Sequence, residues 1–208
     1  MTDGLLLVGA SGLAREVLAA GITGVVGILD DDVDLHDTEV AGVPVVGPLA
    51  LAAQRDEQLL VCVGPSASRR NVVRRLTKFG VADDRYATYV ARSARVGTTS
   101  DVGVGSILLD GVVVTADARL GHHVVVMPGC TITHDDVLSD FSTLAAGVAL
   151  GGGVQVGEAA YLGMNASVRQ GVAIGAASTI GMGAVVLTDV PQQQTWAGVP
   201  ARELGESA

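Results

Sequence analysis

The middle of the chain reads Val126-Met127-Pro128-Gly129-Cys130-Thr131-Ile132-Thr133-His134-Asp135-Asp136-Val137-Leu138, and this stretch decides the fold. Val126, Ile132 and Leu138 stand six residues apart, and the spacing continues both ways. It runs back through Leu120, Val114, Leu108, Val102, Val96 and Val90, and on through Leu144, Leu150, Val156, Leu162, Val168, Ile174, Ile180 and Val186. Every position in the frame is aliphatic. Four residues after each stands a small or β-branched side chain, from Ala94 and Ser100 to Ser178 and Ala184, with Asp136 alone breaking the series. A sustained period of six matches neither an amphipathic helix nor a strand alternating every two residues. It is the period of a hexapeptide parallel β-helix, in which three strand-and-turn units close a triangular coil and the large aliphatics stack inside it. Gly97, Gly103, Gly121, Gly157, Gly163, Gly175 and Gly181 each follow a frame residue, where the chain turns and a Cβ is least welcome. Five coils at about 4.8 Å each predict a prism of about 24 Å. No insertion interrupts the frame.

The segment before this repeat has another texture. Leu5-Leu6-Leu7-Val8 is a short aliphatic run, ended by Gly9-Ala10-Ser11-Gly12 and followed by helical spacing from Leu13 to Leu18. Val25-Val26-Gly27-Ile28-Leu29 predicts a second strand ending at Asp30-Asp31-Asp32. Leu59 to Val63 predicts a third, followed by a helix from Ser68 to Lys78 that Ser66 or Ser68 would cap. Gly42 to Gly47, with Pro44, reads as a loop. Strands alternating with helices imply a small parallel sheet of Rossmann type. The expected division is residues 1–85 as an α/β Rossmann-like domain and 86–208 as an all-β parallel β-helix with a C-terminal tail.

Composition narrows the functional classes. The 208 residues carry a net charge of −9, and 28 are glycine, so the chain offers no basic field for a polyanion and nucleic acid is excluded as a partner. Arg69, Arg70, Arg74 and Arg75 are spaced like one solvated helix face. Cys62 and Cys130 sit in apolar stretches without metal-ligand spacing and read as core residues of a reducing compartment. Residues 1–4 show no basic n-region of a secretory leader, so a cytoplasmic location is expected. The uncharged run from Gln170 to Thr188 nears the length of a membrane span, but its four glycines and six-residue period argue against one.

Three stretches together carry a family resemblance: Val8-Gly9-Ala10-Ser11-Gly12, Ile132-Thr133-His134-Asp135-Asp136, and Trp196-Ala197-Gly198-Val199-Pro200-Ala201. In this order, around a hexapeptide repeat, the chain resembles the bacterial nucleotide-sugar acetyltransferases of surface-glycan, bacillosamine and sialic-acid biosynthesis. The resemblance implies a left-handed β-helix, a homotrimer with active sites between subunits, acetyl-CoA as co-substrate with no metal, and a nucleotide-activated amino sugar as acceptor. A 4-amino-4,6-dideoxy sugar is the first acceptor to expect. It implies that His134 is the general base and Asp135 its orienter; His134 holds the third place of its hexad, which faces out of the prism. It places Thr143, Gly152, Met164 and Met182 against acetyl-CoA, a backbone N–H around Gly151-Gly152-Gly153 at the oxyanion, and Gly198-Val199-Pro200-Ala201 as a cover over the pantetheine. Ser11, Gly12, Leu13, Asp30, Asp31 and Gly64 match the nucleotide-sugar positions. Leu13 departs from the histidine or phenylalanine usual there, with Arg15 nearby to compensate. By chemistry alone, the glycine turn offers amides to a diphosphate and Asp30 offers a carboxylate to a ribose or base edge. A full G-x-G-x-x-G is absent, so a dinucleotide is not expected.

Asp136 either bonds turn amides in support of the His134 site or twists outward. His122 and His123 read as surface residues. O-acetylation of a sugar or sialic acid by the same base is the near rival. A zinc enzyme like the β-helical carbonic anhydrases and a non-catalytic sugar-nucleotide binder are the distant ones.

Overall fold

The computed structural model describes residues 4–205; residues 1–3, which bear on the expectation of no leader, and 206–208 lie outside the described residues. The six-residue frame becomes seventeen two-residue strands, from Tyr89–Val90 to Val185–Val186, distributed over the three sheets of a triangular prism. The first sheet runs from Arg95–Val96 through Thr131–Ile132 to Val185–Val186, and the second from Asp101–Val102 to Ala173–Ile174. The third starts at Tyr89–Val90 and passes through Ile107–Leu108, Val125–Val126, Thr143–Leu144 and Tyr161–Leu162 to Thr179–Ile180. Each strand pairs in parallel with the one a coil away, as Val113–Val114 does with Thr131–Ile132. Frame residues point inward; Ile132, Leu144, Leu162 and Ile180 are wholly buried and form one column-like core with the small residues Val124, Cys130, Val148 and Ala166. Beyond Ile180, Thr195–Gly198 adds in parallel and Ala201–Glu203 folds back antiparallel to it. Gly198 to Ala201 is the reversal between these strands: Ala201 is buried at the end of the core while Val199 is exposed.

Glycine serves two separate needs in this prism. At the position after the frame residue it is close approach: a Cβ on Gly97 would lie 1.7 Å from the Thr115 carbonyl oxygen of the next coil. Two residues further on it is conformation, because that corner takes positive φ, at +72° in Gly129 and +74° in Gly153. Where the corner residue is not glycine it is mostly Asp, Asn or Ala, including Asp135 at +63°; His123 and Phe141 are the bulky exceptions.

The amino-terminal segment forms β1 (Leu5–Val8), α1 (Gly12–Ala19), β2 (Val25–Leu29), β3 (Glu39–Val40), β4 (Val43–Gly47), β5 (Gln58–Val61) and α2 (Ser66–Lys78). The sheet order is β3-β4-β2-β1-β5, parallel except for β3 with β4. The segment expected as a loop around Pro44 is therefore a strand. Val45 and Gly47 pair with Ile28 and Leu29, and Pro44 lies exposed opposite the two-residue edge strand β3, where a missing donor is tolerated. Ser66 does not cap α2, nor does Ser68: the helix starts on Pro65 without a side-chain cap, and the Ser66 hydroxyl turns instead to Thr143 Oγ1 at 2.8 Å.

This α/β unit packs on the third sheet of the prism. None of the outward residues of the other two sheets is buried, and several are polar and exposed, as at Arg95, Arg119 and Gln155, whereas Ile107 and Val125 point outward and are wholly buried against Leu13, Ala14 and Val17. Arg69 is likewise wholly buried, so it leaves the expected solvated face; Arg70 and Arg75 reach acids, Glu158 at 3.0 Å and Asp31 at 2.6 Å. His123 is buried too, stacked on Phe141 at 5.2 Å and meeting Tyr86 edge-on at 4.6 Å. The surface reading of His123 fails because the α/β unit covers its corner. Cys62 and Cys130 are unpaired and buried, and burial pushes the Cys130 thiol up to about 11. Gln170 to Thr188 is divided among three short strands, and among the described residues no helix is long and apolar enough to cross a membrane.

A Cβ on Gly163 would lie 2.6 Å from the Met182 amide nitrogen. Gly163→Val is expected to cost at least about 1–3 kcal/mol of stability, read as a lowered melting temperature, because the obstacle is backbone that cannot rotate away.

Candidate active site

His134 and Asp135 occupy the corner between the first and second sheets. The left-handed turn at Asp135 puts the two side chains on the same side, and His134 Nδ1 lies 2.8 Å from Asp135 Oδ2. Both side chains are about two-thirds exposed, at 66% and 67%. With its Nδ1 proton donated to that carboxylate, the imidazole presents the lone pair of Nε2 outward. The hydrogen bond to Asp135 holds the His134 pKa above its ordinary value. One coil on, the ring finds room only because residue 152 is glycine: a Cβ there would sit 2.4 Å from Nε2. The three amides of Gly151-Gly152-Gly153 are not equivalent. Gly151 N–H donates to Val168 O and Gly153 N–H to His134 O, which leaves the N–H of Gly152, the residue the imidazole packs against, without an acceptor among the described residues.

Asp136 does not twist outward. It is wholly buried, and its two oxygens accept from Thr133 N–H at 2.7 Å and Val154 N–H at 2.8 Å. One carboxylate thus closes the turn that carries His134 and ties it to the coil carrying Gly152. Burial pushes its pKa up to about 6 although both amides oppose the shift.

A groove of about 820 Å³ opens elsewhere, along the third sheet. Its walls are the start of α1 (Gly12, Leu13, Glu16) and the Gly64–Ala67 segment; its floor includes Val125, Thr143, Tyr161 and Met164. It therefore brings together Gly12, Leu13 and Gly64, expected at the sugar, with Thr143 and Met164, expected at acetyl-CoA. Gly152 belongs to the His134 corner instead, and Met182, 73% exposed, lies outside the groove. Ser11, Asp30 and Asp31 are occupied with holding the α/β unit. Ser11 Oγ accepts from Leu13 N–H and donates to Cys62 O at 2.7 Å. Asp30 accepts from Ala10 N–H at 2.7 Å and from Asp32 N–H. Asp31 accepts from Leu49 N–H and pairs with Arg75. The Ala10 and Leu13 amides expected to face a diphosphate are thus already taken.

Arg69, Ser66, His123 and Phe141 fasten the α/β unit to the prism beside the groove, a role that sequence spacing alone does not assign. A signal for two of them was present, since His123 and Phe141 stand one coil apart at the corner that otherwise selects glycine, Asp, Asn or Ala. Among the described residues no cluster of three or more His, Cys, Asp or Glu is placed to hold a metal ion; His36 Nε2 bonds Asp30 O, far in sequence from His134.

No family model and no curated protein matches the sequence. Among solved structures, the chain is similar to an alanine variant of one histidine in GDP-perosamine N-acetyltransferase from Caulobacter crescentus, in complex with CoA and GDP-perosamine. The two are 33% identical over 99% of each chain, with a TM-score of 0.89. The acetyltransferase domain of PglB from Neisseria gonorrhoeae, with acetyl coenzyme A, is 29% identical over 98% of this chain and 100% of that one, at 0.88. WeeI from Acinetobacter baumannii is 26% identical over 97% and 99%, at 0.86.

Asp136→Asn turns one acceptor into a donor facing a backbone N–H and is expected to cost about 1–3 kcal/mol, measured by denaturant unfolding. Gly152→Ala is expected to displace the imidazole and lower turnover at least about tenfold with little change in melting temperature, because the only obstacle is a movable side chain.

Proposed function

Because the chain belongs to the bacterial nucleotide-sugar N-acetyltransferases of the hexapeptide-repeat family, we propose that it moves the acetyl group of acetyl-CoA onto the amino group of a nucleotide-linked sugar, with His134 as general base. The observation that carries the mechanism is the outward-facing His134–Asp135 pair above the unspent Gly152 N–H. The repeated short parallel strands fit a left-handed β-helix acyltransferase.

The sugar amine attacks the thioester carbonyl carbon, and its excess proton passes to His134 Nε2. Negative charge gathers on the carbonyl oxygen, where the Gly152 N–H is the available donor. The C–S bond then breaks, and the thiolate leaves with the proton returned by the imidazolium. Asp135 fixes the Nδ1–H tautomer and stabilises the charged ring; it need not take the proton itself.

In a single chain, the base stands at the corner between the first and second sheets, whereas the groove runs along the third. This supports a homotrimer in which His134 of one copy meets the groove of the next, with acetyl-CoA along Thr143, Met164 and the glycine corner at Gly152. Met182, exposed in the single chain, then becomes a contact between copies. Residues 1–85 would form the Rossmann-like nucleotide-sugar unit and 86–208 the acetyltransferase unit. The groove's mostly apolar lining suits a 4-amino-4,6-dideoxy sugar, whose methyl group replaces a hydroxyl. The structure bound to GDP-perosamine supports a nucleotide amino sugar as the acceptor class. A donor such as acetyl-CoA and two reduced cysteines suit a cytoplasmic enzyme.

The test is release of CoA thiol across UDP-, GDP- and dTDP-linked amino sugars, with free sialic acid as the O-acetylation control. His134→Ala is expected to lose about 100-fold or more in turnover on the best acceptor. Near-normal turnover would reject the base assignment. Activity should fall as pH drops through the His134 pKa, since only neutral imidazole accepts the proton. Asp135→Asn removes the group that raises that pKa, so the inflection should move to lower pH.

A further inference from the structure

Arg69 lies in the first turn of α2, wholly buried, and among the described residues no carboxylate pairs with it. A buried charge ordinarily costs stability unless every donor is satisfied. Here the guanidinium spends its donors on oxygens from both halves of the molecule. Nη1 donates to Val63 O and Gly64 O, both at 2.8 Å, on the segment leaving β5. Nε donates to His123 O at 2.8 Å, and Nη2 to Phe141 O at 2.9 Å, Ser142 O at 3.0 Å and Thr143 Oγ1 at 2.9 Å, all on the prism. Ser66 Oγ adds a second tie across the same seam, to Thr143 Oγ1 at 2.8 Å and Ala160 O at 3.2 Å.

On the α/β side Gly64 belongs to the groove wall and Val63 immediately precedes it, and Thr143 belongs to the groove floor. Among the described residues the only charged residue lining the groove is Glu16, so no lining cation is available to a diphosphate. An anion against that lining is met by backbone N–H groups, with the Arg15 guanidinium beside Gly12 outside it. Those of α1 are partly spent on Ser11, whereas α2 begins uncapped on Pro65, with the Ser66 hydroxyl turned away to Thr143. The usefulness of those amides depends on where the start of α2 stands above the prism, and Arg69 sets that distance.

We propose that Arg69 is a positioning residue for the nucleotide sugar: by tying Val63 and Gly64 to the coil corners at His123 and Phe141 to Thr143, it fixes the α2 wall over the prism floor at the spacing a sugar diphosphate requires. The inference rests on the acetyltransferase reading above. His123 and Phe141, bulky residues at left-handed corners, serve the same seam, since the carbonyls Arg69 reaches are their own.

The experiment is steady-state kinetics of the full-length enzyme with acetyl-CoA and the best acceptor of the amino-sugar panel. Wild-type turnover is measured first; if no acceptor in the panel is acetylated, the acetyltransferase reading fails before Arg69 is tested. Arg69→Lys keeps the charge but lacks the planar fork, so the KM for the nucleotide sugar is expected to rise about tenfold while the KM for acetyl-CoA and the pH inflection of His134 stay unchanged. Ser66→Ala removes the second tie across the seam without burying an unpaired charge and keeps the test available if the Arg69 variant does not fold. It is expected to raise the same KM by a smaller factor. Arg74→Ala, on the exposed side of α2, should change neither KM. A folded Arg69→Lys enzyme with an unchanged nucleotide-sugar KM, or with both KM values raised equally, overturns the proposal.

Discussion

Successive coils of the prism lie one strand spacing apart, and most of what is distinctive in this chain follows from that separation. Backbone stacked so closely leaves no room for a side chain at the position after each frame residue, where a Cβ would enter the carbonyl of the next coil. It also makes most corners left-handed turns, so glycine, Asp, Asn and Ala recur there. The site at His134 uses both consequences. Asp135 tolerates the corner conformation and reaches back to the imidazole, and Gly152 leaves the space into which the ring settles. Asp136 replaces a small interior residue because its buried carboxylate is matched by two N–H groups, one within the turn and one from the next coil.

The α/β unit answers to a different requirement, the covering of one apolar face. Ile107 and Val125 project outward from the third sheet and would be exposed without α1, and the seam beside them is fastened by polar groups with few alternatives. Arg69 is buried without a counter-charge among the described residues, a choice that destabilises unless its hydrogen bonds are all made. The outcome is a groove whose wall and floor come from units of different architecture, held in register by Arg69 outside its lining and by Ser66 and Thr143 within it.

The repeat was legible because its period admits one architecture: the residues from Val90 to Val186 name the inward column directly, and the corner position of His134 follows from counting. The strands β1, β2 and β5 were legible as aliphatic runs ending in turn residues. What the sequence did not disclose were long-range partners. Arg69 reads as one of several basic residues on a helix until Thr143, more than seventy residues away, is placed beside it. His123 reads as a corner residue on solvent until the α/β unit covers it, and Pro44 hides a strand whose hydrogen bonds are made elsewhere. Asp30 and Asp31, placed at the sugar by resemblance, are engaged by backbone N–H groups and Arg75 within the α/β unit. Sequence spacing reports local conformation well, but which carbonyls a buried donor satisfies depends on how the two units dock.

The central claim is that base and groove come from different copies of the chain. Two separately impaired variants test it directly: His134→Ala, and Ala67→Trp, which fills the exposed groove wall. Each alone should be inactive in thiol release, and mixed in equal amounts through a dissociation and reassembly step they should recover about a quarter of wild-type activity, because random pairing brings an intact His134 to an intact groove at that frequency. No recovery from a mixture shown to have exchanged subunits would place base and groove in the same chain and contradict the account.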